Sequence, residues 1–126
     1  MTIAFVLGNG VSRRAVDLTD LKKYGPIYGC NALYRDFIPD VLVATDKPIA
    51  EEIIKSGYTT DNRFYTRRKN ASAGAIILND EYQGYSSGPN AVALAAIDGA
   101  RTIYLVGFDM GPTESGLFNN VYASTE

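Results

Sequence analysis

Four polar residues stand where a short apolar run gives way to a turn: Asn9 after Ile3–Leu7, Asn31 after Ile27–Cys30, Asp46 shortly after Val41–Ala44, and Asp109 shortly after Thr102–Val106. Asn9 lies between Gly8 and Gly10, with Ser12 close behind, and a Ser87-Gly88 pair opens a later apolar segment. Amides and hydroxyls of this kind suit the hydroxyls and base edges of a nucleotide or nucleotide-sugar. Asp46 or Asp109 could serve as a general base if held in place, and together they could hold Mg²⁺. The sequence contains no histidine, which removes the commonest general base and the commonest metal ligand.

These residues need elements to position them, and the chain supplies a regular alternation. Ile3–Leu7 reads as a buried strand that runs through Gly8-Asn9-Gly10 into a helix start at Ser12. Glycines allow close approaches that a Cβ would forbid, and the free N–H groups of a helix start favour an anion such as phosphate. A turn-making role alone would also place glycines here. Arg13–Tyr24 carries a helical pattern ended by Gly25-Pro26, and a second strand, Ile27–Cys30, leads into one or two helical turns over Ala32–Phe37. Val41–Ala44 forms a third strand, followed by a helix from Lys47-Pro48 that stops at Gly57. Arg63–Thr66 and Ala75–Leu78 are further short strands, and Arg67-Arg68-Lys69 reads as a solvated basic loop or a phosphate contact. Ser86–Pro89 caps an apolar helix expected to be buried, with Ser87 as a cap, and Thr102–Val106 comes next as a buried strand. Asp46 and Asp109 could likewise cap the helix or loop that each precedes. The tail 110–126 reads as loop with one late strand.

Strands alternating with helices predict an α/β fold: a Rossmann-like, doubly wound, mostly parallel sheet with helices on both faces, in one domain spanning 1–126. Right-handed crossovers carry successive strands away from the first, and the last strand returns to its other flank. The ends of Leu7 and Val106 then lie side by side, at the point where strand order reverses and ligands bind. The expected site residues are therefore Gly8, Asn9, Gly10, Ser12, Asn31, Ser87 and Gly88 for binding, with Asp46 and Asp109 for chemistry. On this reading Gly10→Val would crowd the turn and weaken binding while the fold survives.

Composition narrows the classes. Among 126 residues, 12 Lys and Arg against 14 Asp and Glu give a net charge of −2, which argues against a dedicated nucleic-acid binder. The single Cys30 allows no internal disulfide, which favours a reducing, cytoplasmic setting. The apolar runs are too short for a membrane span. A nicotinamide fingerprint is incomplete, since Arg13 stands at the third glycine position and Asn31 where an acid belongs, and no Gly-Lys-Ser/Thr loop occurs.

Several segments resemble a known family. Gly8-Asn9-Gly10-Val11-Ser12 is similar to the Gly-Asn-Gly-Pro-Ser opening of bacterial CMP-sialic-acid-dependent sialyltransferases, and Gly29-Cys30-Asn31-Ala32-Leu33-Tyr34 to their Cys-Asn-x-x-Tyr segment. Ser87-Gly88 and Ile103-Tyr104-Leu105-Val106-Gly107-Phe108-Asp109 resemble their Ser-Gly and Ile-Tyr-Leu-x-Gly-x-Asp elements. Pro39–Asp46 is closer to motility-associated glycosyltransferases and archaeal pterin diphosphokinase-like proteins. The resemblance implies a CMP or CMP-sugar ligand at Asn9, Asn31, Ser87, Gly88 and Asp109. No cofactor is required, and a homo-oligomer is a candidate assembly. Val11 replaces the family's proline. The family's histidine base has no counterpart, and of its downstream tyrosines only Tyr122 is available. The implied function is a nucleotide- or nucleotide-sugar-binding domain, glycosyltransferase-like if active. The alternatives are a non-catalytic binding or assembly module and a Mg²⁺-dependent pterin or nucleotide phosphotransferase.

Overall fold

The computed structural model describes residues 3–109 and 120–122, so the expected late strand of the tail lies outside the described residues. Six strands form one parallel sheet: β1 (Ile3–Leu7), β2 (Ile27–Cys30), β3 (Val41–Val43), β4 (Phe64–Thr66), β5 (Ile76–Ile77) and β6 (Thr102–Val106), in the order β5-β4-β3-β2-β1-β6. The chain steps outward from β1 to β5 and then returns to the other flank of β1. Strand order therefore reverses between β1 and β6, which pair in parallel from Ile3↔Thr102 to Leu7↔Val106. This is the α/β, Rossmann-like arrangement that the alternating pattern predicts.

Side chains alternate across the sheet into two cores. Phe5, Leu7, Ile27, Leu42 and Phe64 point to one face, where α2 (Lys47–Lys55) buries Ala50 and Ile53. Ala4, Val6, Tyr28, Val41 and Val43 point to the other, against Ala91, Leu94 and Ala95 of α3 (Ser87–Ile97). Period-2 alternation of near-continuous apolar strands is what a parallel sheet covered on both faces requires. Pro48 sits in the first turn of α2, and Gly57, at φ 82°, takes up the left-handed conformation just past its end.

Two expectations fail. The helix expected over Arg13–Tyr24 is split into a 3₁₀ turn, Val11–Ala15, and a single-turn α1, Leu18–Leu21. Asp17 causes the break: its carboxylate accepts from the N–H groups of Thr19 (3.0 Å) and Asp20 (3.3 Å), restarting the helix there. β6 is an edge strand rather than a buried one, with Tyr104 51% and Leu105 56% exposed. α3 is buried as expected through Asn90, Ala91, Leu94 and Ala95, but Ile97 at its end is exposed. Apolar content alone does not distinguish an inner strand from an edge strand.

A polar clasp joins the helical layer on the α2 face. Arg35 donates through Nε (2.9 Å) and NH2 (2.7 Å) to the two oxygens of Glu52, and the Tyr34 hydroxyl donates to the same carboxylate. These bonds hold the Glu52 carboxyl below its usual range, while burial and the Glu52 contact push Tyr34 up to about 12. A depressed carboxylate stabilises the fold above its unfolded pKa and loses that contribution as pH falls through the folded one. Glu52→Gln should therefore lower stability at pH 7 by less than about 1 kcal/mol, because the pair is partly exposed. Urea titrations should show that difference shrinking as pH is lowered below about 4. Phe64→Ala, at a fully buried position, should cost about 3–5 kcal/mol in the same assay.

Candidate functional site

The strand ends at the switch point are joined first by backbone. Gly8 N–H donates to Val106 O (2.7 Å) and Gly10 N–H to Gly107 O (2.7 Å). The glycines are required by this seam. A Cβ on Gly8 would lie 2.5 Å from Gly107 O, one on Gly10 2.6 Å from the same oxygen, and one on Gly107 2.5 Å from Gly8 O. Gly10→Val is thus expected to disturb the fold itself, contrary to the reading in which only binding suffers.

Asp109 reaches back across the seam to Ser12. The Ser12 N–H donates to its Oδ2 at 2.9 Å, and the Ser12 hydroxyl donates to Oδ1. The chain's own carboxylate occupies the place where the Gly8–Ser12 turn is expected to take a ligand phosphate. The element entered there is a five-residue 3₁₀ segment, not a long helix with a substantial dipole. Asp109 acts here as a brace on the turn.

A second cluster lies across β1, beyond the end of β2. Asn31 adopts φ 56°, a left-handed conformation that asparagine tolerates better than most residues. The Ser87 hydroxyl donates to Asn31 Oδ1 at 3.0 Å, accepts from Thr45 N–H at 3.0 Å, and lies 3.2 Å from the Thr45 hydroxyl. Ser87 is therefore not the cap of α3. Ser86 takes that position without a side-chain bond to the helix, and no acidic residue occupies the first turn. Asp46 stands at the corresponding position of α2, exposed and also making no capping bond.

Two contacts link the clusters. Asn9 donates through Nδ2 to Cys30 O (3.0 Å), adjacent to Asn31, while its Oδ1 is buried with no hydrogen-bond partner among the described residues. A Cβ on Gly88 would lie 2.9 Å from the Phe108 ring, so the start of α3 packs closely on the β6 turn. Asn9, Asn31 and Ser87-Gly88 thus converge with Gly8, Gly10, Ser12 and Asp109 along one edge of the sheet, and Asp46 comes after Thr45 at its outer side.

Sequence reasoning misses several participants. Arg13 is 7% exposed, donates through NH2 to the Tyr122 hydroxyl (3.1 Å) and lies 5.5 Å from that ring's centre. Tyr122 in turn donates to Asp36 (2.7 Å), and Val121 N–H donates to Asn9 O (2.8 Å), so residues 121–122 are strapped onto the Gly turn. Burial and Asp36 push the Tyr122 hydroxyl up to about 12. In the sequence Arg13 stands out only as a departure from a glycine fingerprint, and Thr45 is masked by its neighbour Asp46. Asn70, whose Nδ2 donates to Thr45 O (3.0 Å), carries no signal. Cys30 is buried, donates weakly to Leu7 O (3.4 Å) and is pushed up to about 11, which keeps it a protonated, unreactive thiol at neutral pH.

The Asp109 carboxylate is engaged by Ser12, and no group of three or more His, Cys, Asp or Glu side chains placed to hold a metal occurs among the described residues. Nor does any helix among them have the length and apolarity to cross a membrane.

The seam yields a direct test. Gly8→Ala should cost about 1–3 kcal/mol by overpacking against Gly107 O. Gly107→Ala should cost more, since its φ of 79° adds left-handed strain of about 1–2 kcal/mol. Denaturant unfolding of both variants measures the two losses; a neutral Gly8→Ala would show that the turns do not need their close approach. No family model, no curated protein and no solved structure matches this chain.

Proposed function

We propose that the chain is a nucleotide- or nucleotide-sugar-binding domain of the type found in bacterial sialyltransferases, with CMP or a CMP-sugar as its ligand. The observation that carries this reading is the convergence of Asn9, Asn31 and Ser87-Gly88 at the strand-order switch, with the buried Asn9 Oδ1 left as an unspent acceptor. Such switch points are where open α/β sheets take their ligands. The anion-binding role moves from the Ser12 turn, which Asp109 fills, to the start of α3. That helix is eleven residues long, lacks a capping side chain and has no acidic residue in its first turn, so its Ser87 and Gly88 amides suit a phosphate. Asn9 Oδ1 suits an exocyclic amine or a ribose hydroxyl, both hydrogen-bond donors.

The reading favours binding over turnover. Asp109 is tied to Ser12 through both oxygens, and Asp46 is exposed to solvent without a partner among the described residues that would orient it. A positioned general base contributes about a hundred- to ten-thousand-fold in rate, and neither carboxylate is placed to supply that without rearrangement. An assembly module with a retained ligand pocket is the second reading, favoured by the same engagement of Asp109.

Calorimetric titration with CMP, CDP, UDP, GDP, NAD and ATP tests the ligand class. CMP or CDP should bind, and Asn31→Gly should weaken binding about tenfold while keeping the left-handed backbone. Loss of no affinity in Asn31→Gly would remove this residue from the site. Incubation with CMP-sialic acid and a panel of galactosides should give no acceptor-dependent release of CMP. Release that Asp109→Asn abolishes would overturn the binding-only reading and make Asp109 catalytic.

A further inference from the structure

Further along the same edge of the sheet, past β4, positive charge collects in a chain whose overall charge is negative. Two adjoining surface grooves, of about 590 and 360 Å³, share Lys69 as a common wall. The larger is lined by Arg67, Arg68, Lys69, Gln83 and Gly84; the smaller adds Lys47 and Lys55, with Glu51 as its one carboxylate among the described residues. Lys47 lies 3.9 Å from Glu51, and Arg68 pairs with Asp80. Lys55 and Lys69 have no acidic partner among the described residues.

The larger groove is built rather than incidental. Arg67 donates through Nε to Gln83 O (2.8 Å) and through NH2 to Tyr85 O (3.2 Å), so its charge is held in place by neutral carbonyls and is not cancelled. Gln83 accepts from Arg68 N–H (3.0 Å) and donates to Leu78 O (2.6 Å), fixing the wall opposite. Asn90 steadies the loop behind, with Nδ2 close to the carbonyls of Tyr82, Tyr85 and Ser86. A fixed guanidinium beside an unpaired ammonium on a flexible stem is an arrangement that recognises phosphate oxygens.

We propose that these grooves form a binding site for a compact phosphate ester, a molecule of sugar-phosphate size whose phosphate sits between Lys69 and Arg67. Both grooves open widely to solvent, which suits a small charged molecule held by its phosphate. Neither is lined by an aromatic side chain of the described residues on which nucleobases would stack, and the basic surface is short, so a nucleic-acid strand is disfavoured. The site is separate from the Asn9–Asn31–Ser87 cluster and does not depend on its ligand, although Asn70 connects the groove rim to Thr45.

Pyrophosphate and glucose 1-phosphate are the probes, titrated into the ¹⁵N-labelled protein at low ionic strength, with a single-stranded oligonucleotide as a parallel arm. Amide shifts should appear at residues 67–70 and 83–84. Lys69→Glu should weaken both phosphate probes about tenfold or more, and Lys55→Glu by a smaller factor. Both positions are exposed, so the unfolding midpoint should stay unchanged. CMP binding by Lys69→Glu, measured alongside, should equal that of the parent chain if CMP binds at all. Shifts confined to other residues, or unchanged phosphate affinity in Lys69→Glu, would overturn the proposal. So would tighter binding of the oligonucleotide than of pyrophosphate through the same residues, which would mark a nucleic-acid surface instead.

Discussion

The structure depends on two backbones being allowed to touch. Where β1 and β6 end, the Gly8 and Gly107 peptides lie so close that neither position has room for a single extra carbon. Parallel pairing brings the strand ends level, and the paired amides of Gly8 and Gly10 hold the turns face to face. A side chain in that seam would separate β6 from β1, and with it Phe108 from the start of α3 and Asp109 from Ser12. The geometry of every polar group at the switch point is set from this contact outward.

That origin explains why the edge of the sheet satisfies so many of its own polar groups. Asp109 answers the open amide and hydroxyl of Ser12, and the Ser87 hydroxyl serves Thr45 and Asn31 at once. Buried polar groups need partners, and here most partners come from strands distant in sequence. Among the described residues, the buried groups left without a partner include the Asn9 amide oxygen and the Arg13 Nε at the same turn, and on the outside Lys55 and Lys69 have no acidic partner.

Much of this architecture is legible in the chain. The β-branched and apolar runs mark all six strands, and Pro48, Gly57 and Gly25-Pro26 mark element ends through conformational limits that act locally. The return of the last strand beside the first is a consequence of crossover handedness. The failures have a common cause in non-local information. Asp17 reads as one more charge on a helix, although its capping bonds split that helix. The exposure of Tyr104 and Leu105 depends on nothing pairing with β6 on its far side among the described residues, which composition does not reveal. Ser87 reads as a cap because it begins an apolar helix, yet its hydroxyl is engaged 42 residues away at Thr45. Arg13 and Tyr122, 109 positions apart, share no signal at all.

The strap at Val121 and Tyr122 bears on the order in which the molecule can be made. β1 leaves the ribosome well before its partner β6, which begins only at Thr102, and the Asn9 carbonyl waits for Val121. During synthesis the sheet can add β2, β3 and β4 to one side of β1 while the other side stays unpaired. Long-range pairings of this kind close large loops and form slowly. The glycine turn, translated well before either of its partners, is therefore among the last of the described elements to take its finished shape.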